Sequence, residues 1–443
     1  MVDTLPLLPE SGMDSIVAYR GITPVKRHEF LSDVQTISEN IPETSHVLNL
    51  CKDRYWFTAT LFASISRGIL SILPNSVAPE IVSELTQELP DLVCLGDQSS
   101  ISHDLPYLKI CGFRSRISTP SVPQIPANRA IVQVYTSGST GKPKSHAKTF
   151  DKIIMCVKTE AKRIWEVTNG PCTVLGTVPF QHMYGLESTI FLPLLGGGKL
   201  SSPLPFFPAD IADSLATLPE PRLLVTTPFH LGKLVESGIK FPRIAMIVSA
   251  TAPLSMELAK TAEERLAAPI LEIYGSTETG QIATRRPTRS TLWKTYDGIS
   301  LKQERGTSIA SGGHLEEPQC LQDTLEIADE SHFRLIGRNS DMVNVAGKRS
   351  SLAYLSQIIT RVPGVRDGIF CIPEPDEAAA RLAAFVVAPG LNSHDIHAAL
   401  LEKLDPPFLP RPIIFLDFLP RDRNGKIQAA TISELIARYI LAR

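Results

Sequence analysis

Short, near-continuously apolar runs alternate along this chain with stretches whose apolar positions recur at helical spacing. Three segments repeat one theme of apolar β-branched run, small-residue turn and helical pattern: Arg222–Val225 into Thr226–Pro228, Ile244–Val248 into Ser249–Pro253, and Pro269–Tyr274 into Gly275–Gly280. Such runs predict strands buried on both faces of a parallel sheet, an α/β architecture whose ligands bind at the carboxyl ends of the strands. Phe57–Leu73 is apolar at helical spacing without proline and predicts a buried helix leading into a strand. After Arg338 the character changes: a polar stretch precedes a predicted helix over 352–359, a strand over 381–387, and a helix that Ser393 caps and that runs through Leu404. The pattern therefore divides the chain into residues 1–338, a linker at 339–340, and a small α+β domain over 341–443.

Composition narrows the class. The chain has 443 residues, 43% hydrophobic and 20% charged, ample for several folding units around a large core. Lys+Arg is 44 and Asp+Glu is 46, so a net charge of −2 gives no general attraction to nucleic acid or an anionic membrane. No run of 18 apolar residues predicts a membrane span, and the acidic, proline-punctuated start does not read as a secretory signal. The seven scattered cysteines include no CxxC, so reduced thiols and a cytoplasmic location are expected. His394-x-x-His397 offers two ligands and no third, too few for a zinc site. No G-x-S-x-G occurs, which leaves out a serine hydrolase elbow.

The strongest chemical signal is Tyr135–Lys144, YTSGSTGKPK, after the apolar run Ala130–Val134. Thr136, Ser137, Ser139 and Thr140 supply hydroxyls, Gly138 and Gly141 let backbone N–H groups converge, and Lys142 and Lys144 add charge. That inventory suits a polyphosphate. It is not a Walker loop, whose glycines are more widely spaced. Read alone, it leaves open a phosphotransferase that forms ADP, or a catalytically degenerate nucleotide-binding protein.

The string resembles the phosphate loop of the adenylate-forming superfamily of acyl- and aryl-CoA synthetases, nonribosomal peptide adenylation domains and luciferases. The other motifs follow in that family's order. YGSTETG, Tyr274–Gly280, resembles its second core motif. The resemblance implies that Tyr274, Gly275 and Ser276 lie along the nucleotide, with Tyr274 on adenine. It implies that Thr277 contacts the α-phosphate and Glu278 helps hold Mg2+. SATAPL resembles the adenine-side turn and implies nucleotide contacts from Ser249, Ala250 and Thr251, where the family often has glycines. Asp323 and Arg338 stand fifteen residues apart, the family spacing of two ribose-binding residues, although Leu321-Gln322 replaces the usual Thr-Gly. LPRDRNGKI resembles the C-terminal motif whose lysine, here Lys426, sits between the substrate carboxylate and the α-phosphate. PFQHMYGL resembles the acyl and aryl branch, with His182 near the acyl tunnel and no aspartate to pair with an amino-acid ammonium.

The fold implied is a large N-terminal domain of two parallel-sheet subdomains and a β-rich subdomain, plus a small mobile α+β lid that turns about Ser340. The activity implied uses ATP and Mg2+ to convert an aryl or medium acyl acid into an acyl-adenylate with release of pyrophosphate. The acyl group then passes to the thiol of coenzyme A or of a carrier-protein phosphopantetheine.

Overall fold

The computed structural model describes residues 3–74, 77–99, 105–110, 120–136, 144–304, 307–338, 342–345, 348–373, 382–422 and 427–441. The chain forms two compact units, Met1–Ser300 with Ser311–Gln319, and Leu301–Ala310 with Cys320–Arg443. The expected linker at 339–340 lies outside the described residues.

Among the described residues, the first unit holds two large sheets beside a two-stranded pair of Thr4–Pro6 with Gln124–Pro126. One is six-stranded, in the order Lys144–Thr149, Ala130–Thr136, Leu70–Leu73, His46–Asn49, Val93–Gly96, Tyr107–Lys109. Its strands are parallel except Lys144–Thr149, which returns antiparallel along Ala130–Thr136. The other sheet has a parallel centre of Ile270–Ser276, Met246–Ser249, Arg222–Thr226, Thr173–Gly176, Lys199–Ser201 and Ile16–Arg20. Helix Arg54–Arg67 follows the predicted helix-to-strand pattern into Leu70–Leu73 and is buried along nearly all of its length, as an all-round apolar helix must be. Asp53 caps it by accepting from the Trp56 N–H at 3.0 Å, and Gly68 ends it at φ +74°.

Two of the three repeated segments form as the sequence predicts. Strand Arg222–Thr226 leads to helix Pro228–Glu236, capped by Thr227, and strand Met246–Ser249 leads to helix Met256–Leu266, capped by Ser255. The third does not. Strand Ile270–Ser276 turns back into strand Gly280–Arg285, and no helix follows. The cause lies between the two strands: a Cβ on Gly275 would stand 2.1 Å from the Gly280 carbonyl oxygen, a backbone approach that only glycine permits.

The second unit is α+β. Strands Asp323–Ile327 and His332–Arg338 pair antiparallel, and the strand order Asp367–Cys371, Ala383–Val387, Ile413–Phe415 forms a separate sheet. Helix Leu352–Ile359 has the predicted bounds. The helix expected from Ser393 to Leu404 ends at Leu401 and takes Asn392 as its cap, because Asn392 and Asp395 close a reciprocal capping box that Ser393 cannot make.

Candidate active site

Strand Ile270–Ser276 delivers Thr277 and Glu278 to the tip of a tight turn. Ser276 and Thr279 close it: the Ser276 N–H donates to Thr279 Oγ1 at 3.0 Å and the Thr279 N–H to Ser276 Oγ at 3.2 Å. Tyr274 packs on Trp293 with ring centroids 5.6 Å apart. The Glu278 side chain is 34% exposed, with Oε1 4.0 Å from His146 Nε2.

The turn is braced from below. Lys148 Nζ donates to the Glu278 carbonyl at 2.6 Å, and His314 Nε2 donates to the Thr279 carbonyl at 3.0 Å. Glu187, 1% exposed, accepts from the Gln281 backbone N–H, and the Cys156 thiol donates to its Oε1 at 3.4 Å. Gln281 Nε2 donates to Ser188 Oγ at 2.9 Å, Ser188 donates to Glu160 at 2.6 Å, and the Tyr296 hydroxyl donates to Gln281 Oε1 at 2.7 Å. Burial dominates the electrostatics of this layer. It pushes Glu160 up to about 8, Glu187 up to about 7 and His314 down to about 4. It also lowers the Lys148 ammonium, against which Glu187 is the largest opposing charge. A cavity of about 230 Å3 opens beside the brace, bounded by Lys144, His146, Lys148, Glu187, Glu278 and His314 among others.

The neighbouring turn, Ser249–Leu254, follows the next parallel strand. Thr251 holds φ +80°, where this sequence has threonine in place of the glycine its resemblance leads one to expect. Ser249 Oγ and Thr251 Oγ1 are buried with no hydrogen-bond partner among the described residues, and Ala250 is buried beside them. Glu272 joins the second turn to the far end of the returning strand: Oε1 accepts from the Leu254 N–H at 2.9 Å while Oε2 accepts from Arg285 at 2.6 Å.

His182 is exposed and precedes helix Met183–Leu186. Two residues on, the Tyr184 hydroxyl reaches the carbonyls of Thr226 and Val248, both at 3.1 Å, across two strand ends. Arg54, wholly buried, supports this segment by donating to the Gly176 carbonyl at 2.8 Å with its guanidinium 5.5 Å from the Phe180 ring.

The structure thus brings together Lys144, Tyr274, Gly275, Ser276, Thr277 and Glu278, with Ser249, Ala250 and Thr251 on the adjoining turn. Thr136 ends its strand directly across from Lys144. Ser137, Gly138, Ser139, Thr140, Gly141 and Lys142 lie outside the described residues, as does Lys426. Asp323 and Arg338 belong to the second unit, where the antiparallel register sets them directly opposite each other. Lys148, Glu187 and His314 do not stand out in the sequence. Glu187 carries a faint signal as the first acid after PFQHMYG, but the strand KSHAKT gives no hint that Lys148 reaches the turn.

One carboxylate beside a lysine-bearing strand fits Mg2+, which typically takes one or two protein carboxylates and completes its shell with water and substrate phosphate. Among the described residues no cluster of three or more His, Cys, Asp or Glu forms a self-contained metal cage. Nor is any described helix long and apolar enough to cross a membrane.

A 4-coumarate–CoA ligase of Rhodobacter capsulatus is 28% identical over 66% of this chain and 73% of its own length. A p-hydroxybenzoic acid–AMP ligase, FadD22, of Mycobacterium marinum is 24% identical over 83% of this chain and 58% of its own length. The ATP-bound structure of MatB from Rhodopseudomonas palustris superimposes with a TM-score of 0.82 at 16% identity, covering 97% of both chains. The o-succinylbenzoate CoA synthetase of Bacillus subtilis with its acyl-adenylate intermediate gives 0.80 at 18% identity, covering 93% of this chain and 94% of that one. These likenesses establish the fold. Residues 40–303 match the AMP-binding enzyme family and residues 355–426 match the AMP-binding enzyme C-terminal domain. With both matches in order along a fold of this kind, the chain belongs to the AMP-binding enzymes of the adenylate-forming superfamily.

Proposed function

We propose that this AMP-binding enzyme activates an aryl or medium acyl acid with ATP and transfers the acyl group to a thiol. A carboxylate oxygen of the acid attacks the α-phosphorus, the bond from that phosphorus to pyrophosphate breaks, and an acyl-adenylate results. A thiolate then attacks the acyl carbon, the carbon–oxygen bond to phosphate breaks, and AMP leaves. The observation that carries this reading is the braced turn that presents Thr277 and Glu278 beside the strand bearing Lys144.

Each group has a physical task. Two anions must approach, so Lys144 and, by resemblance, Lys426 supply positive charge where negative charge develops. Glu278 would hold Mg2+, which when bound neutralises phosphate charge. Tyr274 offers an aromatic face to the adenine. No carboxylate lies in Pro179–Leu186 to meet an α-ammonium, which favours acids without one. Relatives named for 4-coumarate and p-hydroxybenzoic acid support an aryl acid. The acceptor arm is phosphopantetheine, carried by coenzyme A or by a carrier protein; the coenzyme A ligases among the relatives support the former.

The test is ATP–pyrophosphate exchange over benzoates, cinnamates, medium-chain fatty acids and the common amino acids, followed by thioester formation with coenzyme A and with a loaded carrier protein. Exchange with aryl or acyl acids alone is expected. Exchange with an α-amino acid as sole substrate, or acid-dependent formation of ADP, would overturn the reading.

A further inference from the structure

We propose that Lys148, which lines one cavity with the buried Glu187 carboxylate, is a positioning residue that orients the Thr277–Glu278–Thr279 turn toward the nucleotide; this rests on the function proposed above. Two successive carbonyls of the turn are tied to side chains from elsewhere in the chain, Glu278 O to Lys148 and Thr279 O to His314. Together they fix two successive peptide planes, Glu278–Thr279 through Lys148 and Thr279–Gly280 through His314. The plane held by Lys148 starts at the Cα of Glu278, so its orientation bears on the direction of the half-buried Glu278 carboxylate and, one residue back, of the half-buried Thr277 side chain.

A lysine is a costly way to satisfy one carbonyl. Its ammonium is lowered mainly by burial, and its strongest opposing charge is Glu187, itself 1% exposed. Apolar residues of similar volume commonly replace buried charge pairs with no loss of stability. What an apolar pair would not do is hold the carbonyl of Glu278. Glu187 is fixed independently by the Gln281 N–H and the Cys156 thiol, and a Cβ on Gly280 would come within 2.7 Å of its Oε1. Glu187 therefore grips the returning strand just past the turn while Lys148 grips the turn itself.

The two roles, stability and positioning, separate in variants. Lys148→Met removes the donor but leaves Glu187 buried without its strongest cation, so K148M alone loses stability for a trivial reason. K148M/E187Q removes both charges and keeps a side-chain amide oxygen at position 187 to accept from the Gln281 N–H. Three readouts are taken on the full chain: thermal midpoint, adenylation kinetics, and the Mg2+ dependence of binding of α,β-methylene-ATP, which cannot release pyrophosphate. The double variant should unfold within about 3 °C of wild type. It should still lose about 10²-fold in kcat with the KM for the acid changed less than about threefold, the signature of lost transition-state positioning. Its Mg2+ midpoint for the ATP analogue should rise about tenfold, and Lys148→Arg, which keeps a donor, should recover most of both losses.

Recovery of rate and Mg2+ midpoint along with stability in K148M/E187Q would show that the pair is only structural. A double variant that fails to fold also counts against the proposal, because the charges are held to be dispensable for folding. If wild-type enzyme adenylates no acid, the functional reading fails, and the Mg2+ dependence of nucleotide binding still decides the role of Lys148.

Discussion

Two turns leave neighbouring parallel strands of one sheet, and they are held in opposite ways. At Tyr274–Gly280, Ser276 and Thr279 are tied to each other, the carbonyls of Glu278 and Thr279 are tied to Lys148 and His314, and Gln281 just past the turn is tied to a buried layer of Glu187, Ser188, Glu160 and Tyr296. At Ser249–Leu254 two buried hydroxyls have no partner among the described residues, Thr251 sits at φ +80°, and the Leu254 N–H is anchored on Glu272. The first turn resembles the preorganised dipoles that electrostatic catalysis requires, fixed before charge develops. The second stores strain and leaves polar atoms for a ligand to satisfy, a combination that concentrates at binding sites. On the proposed function the braced turn faces the reacting phosphate, and the strained turn faces the parts of the ligands that are recognised but do not react.

The contrast can be broken most severely at Gly275. Gly275→Ala would force a Cβ to within 2.1 Å of a backbone oxygen, so urea denaturation should show a loss of more than ~3 kcal/mol or no folded protein. A loss below ~1 kcal/mol would mean that the turn yields and is not braced.

Glu278→Gln should leave the fold intact, since the side chain is partly exposed, while pyrophosphate exchange at limiting Mg2+ falls by at least ~10²-fold. Unchanged exchange would reduce Glu278 to a structural residue.

The buried layer should announce itself in pH dependence. Glu160 is raised by burial to about 8 from an ordinary 4.5, so its folded value exceeds its unfolded one. Its contribution to stability is therefore complete below about pH 4.5 and is lost as pH rises toward 8; Glu187, raised to about 7, acts in the same direction. Glu160→Gln should flatten the fall in thermal midpoint between about pH 5 and 8. An unaltered slope would mean that Glu160 is not protonated in the fold.

The smallest effect belongs to the strained turn. Thr251→Gly should raise stability by about 1 kcal/mol, because glycine adopts φ +80° without the penalty that a β-branched residue carries. Lower stability would mean that the threonine methyl packs well enough to outweigh the strain.

What the sequence reveals and what it conceals divide along the same line. Strands Arg222–Thr226 and Met246–Ser249 and the helices after them are legible, because β-branched runs and Thr or Ser caps are local signals. So is helix Leu352–Ile359. The return of the chain after Ser276 reads locally as a helix start, because the close approach of Gly275 to Gly280 is visible only across the two strands. The residues at the tip of the braced turn are found by their motif. The brace is not, because Lys148, Glu160, Glu187 and His314 come from separate segments, and each of them, like Gln281 beside the motif, reads alone as an ordinary polar position.

The central claim is that a carboxylate oxygen becomes bonded to the α-phosphorus of ATP at this site. Labelling the carboxylate of a turned-over acid with 18O tests it directly. After thioester formation, mass spectrometry should find one 18O in the phosphate of AMP and none in pyrophosphate. Label-free AMP, or ADP as the nucleotide product, would contradict the account.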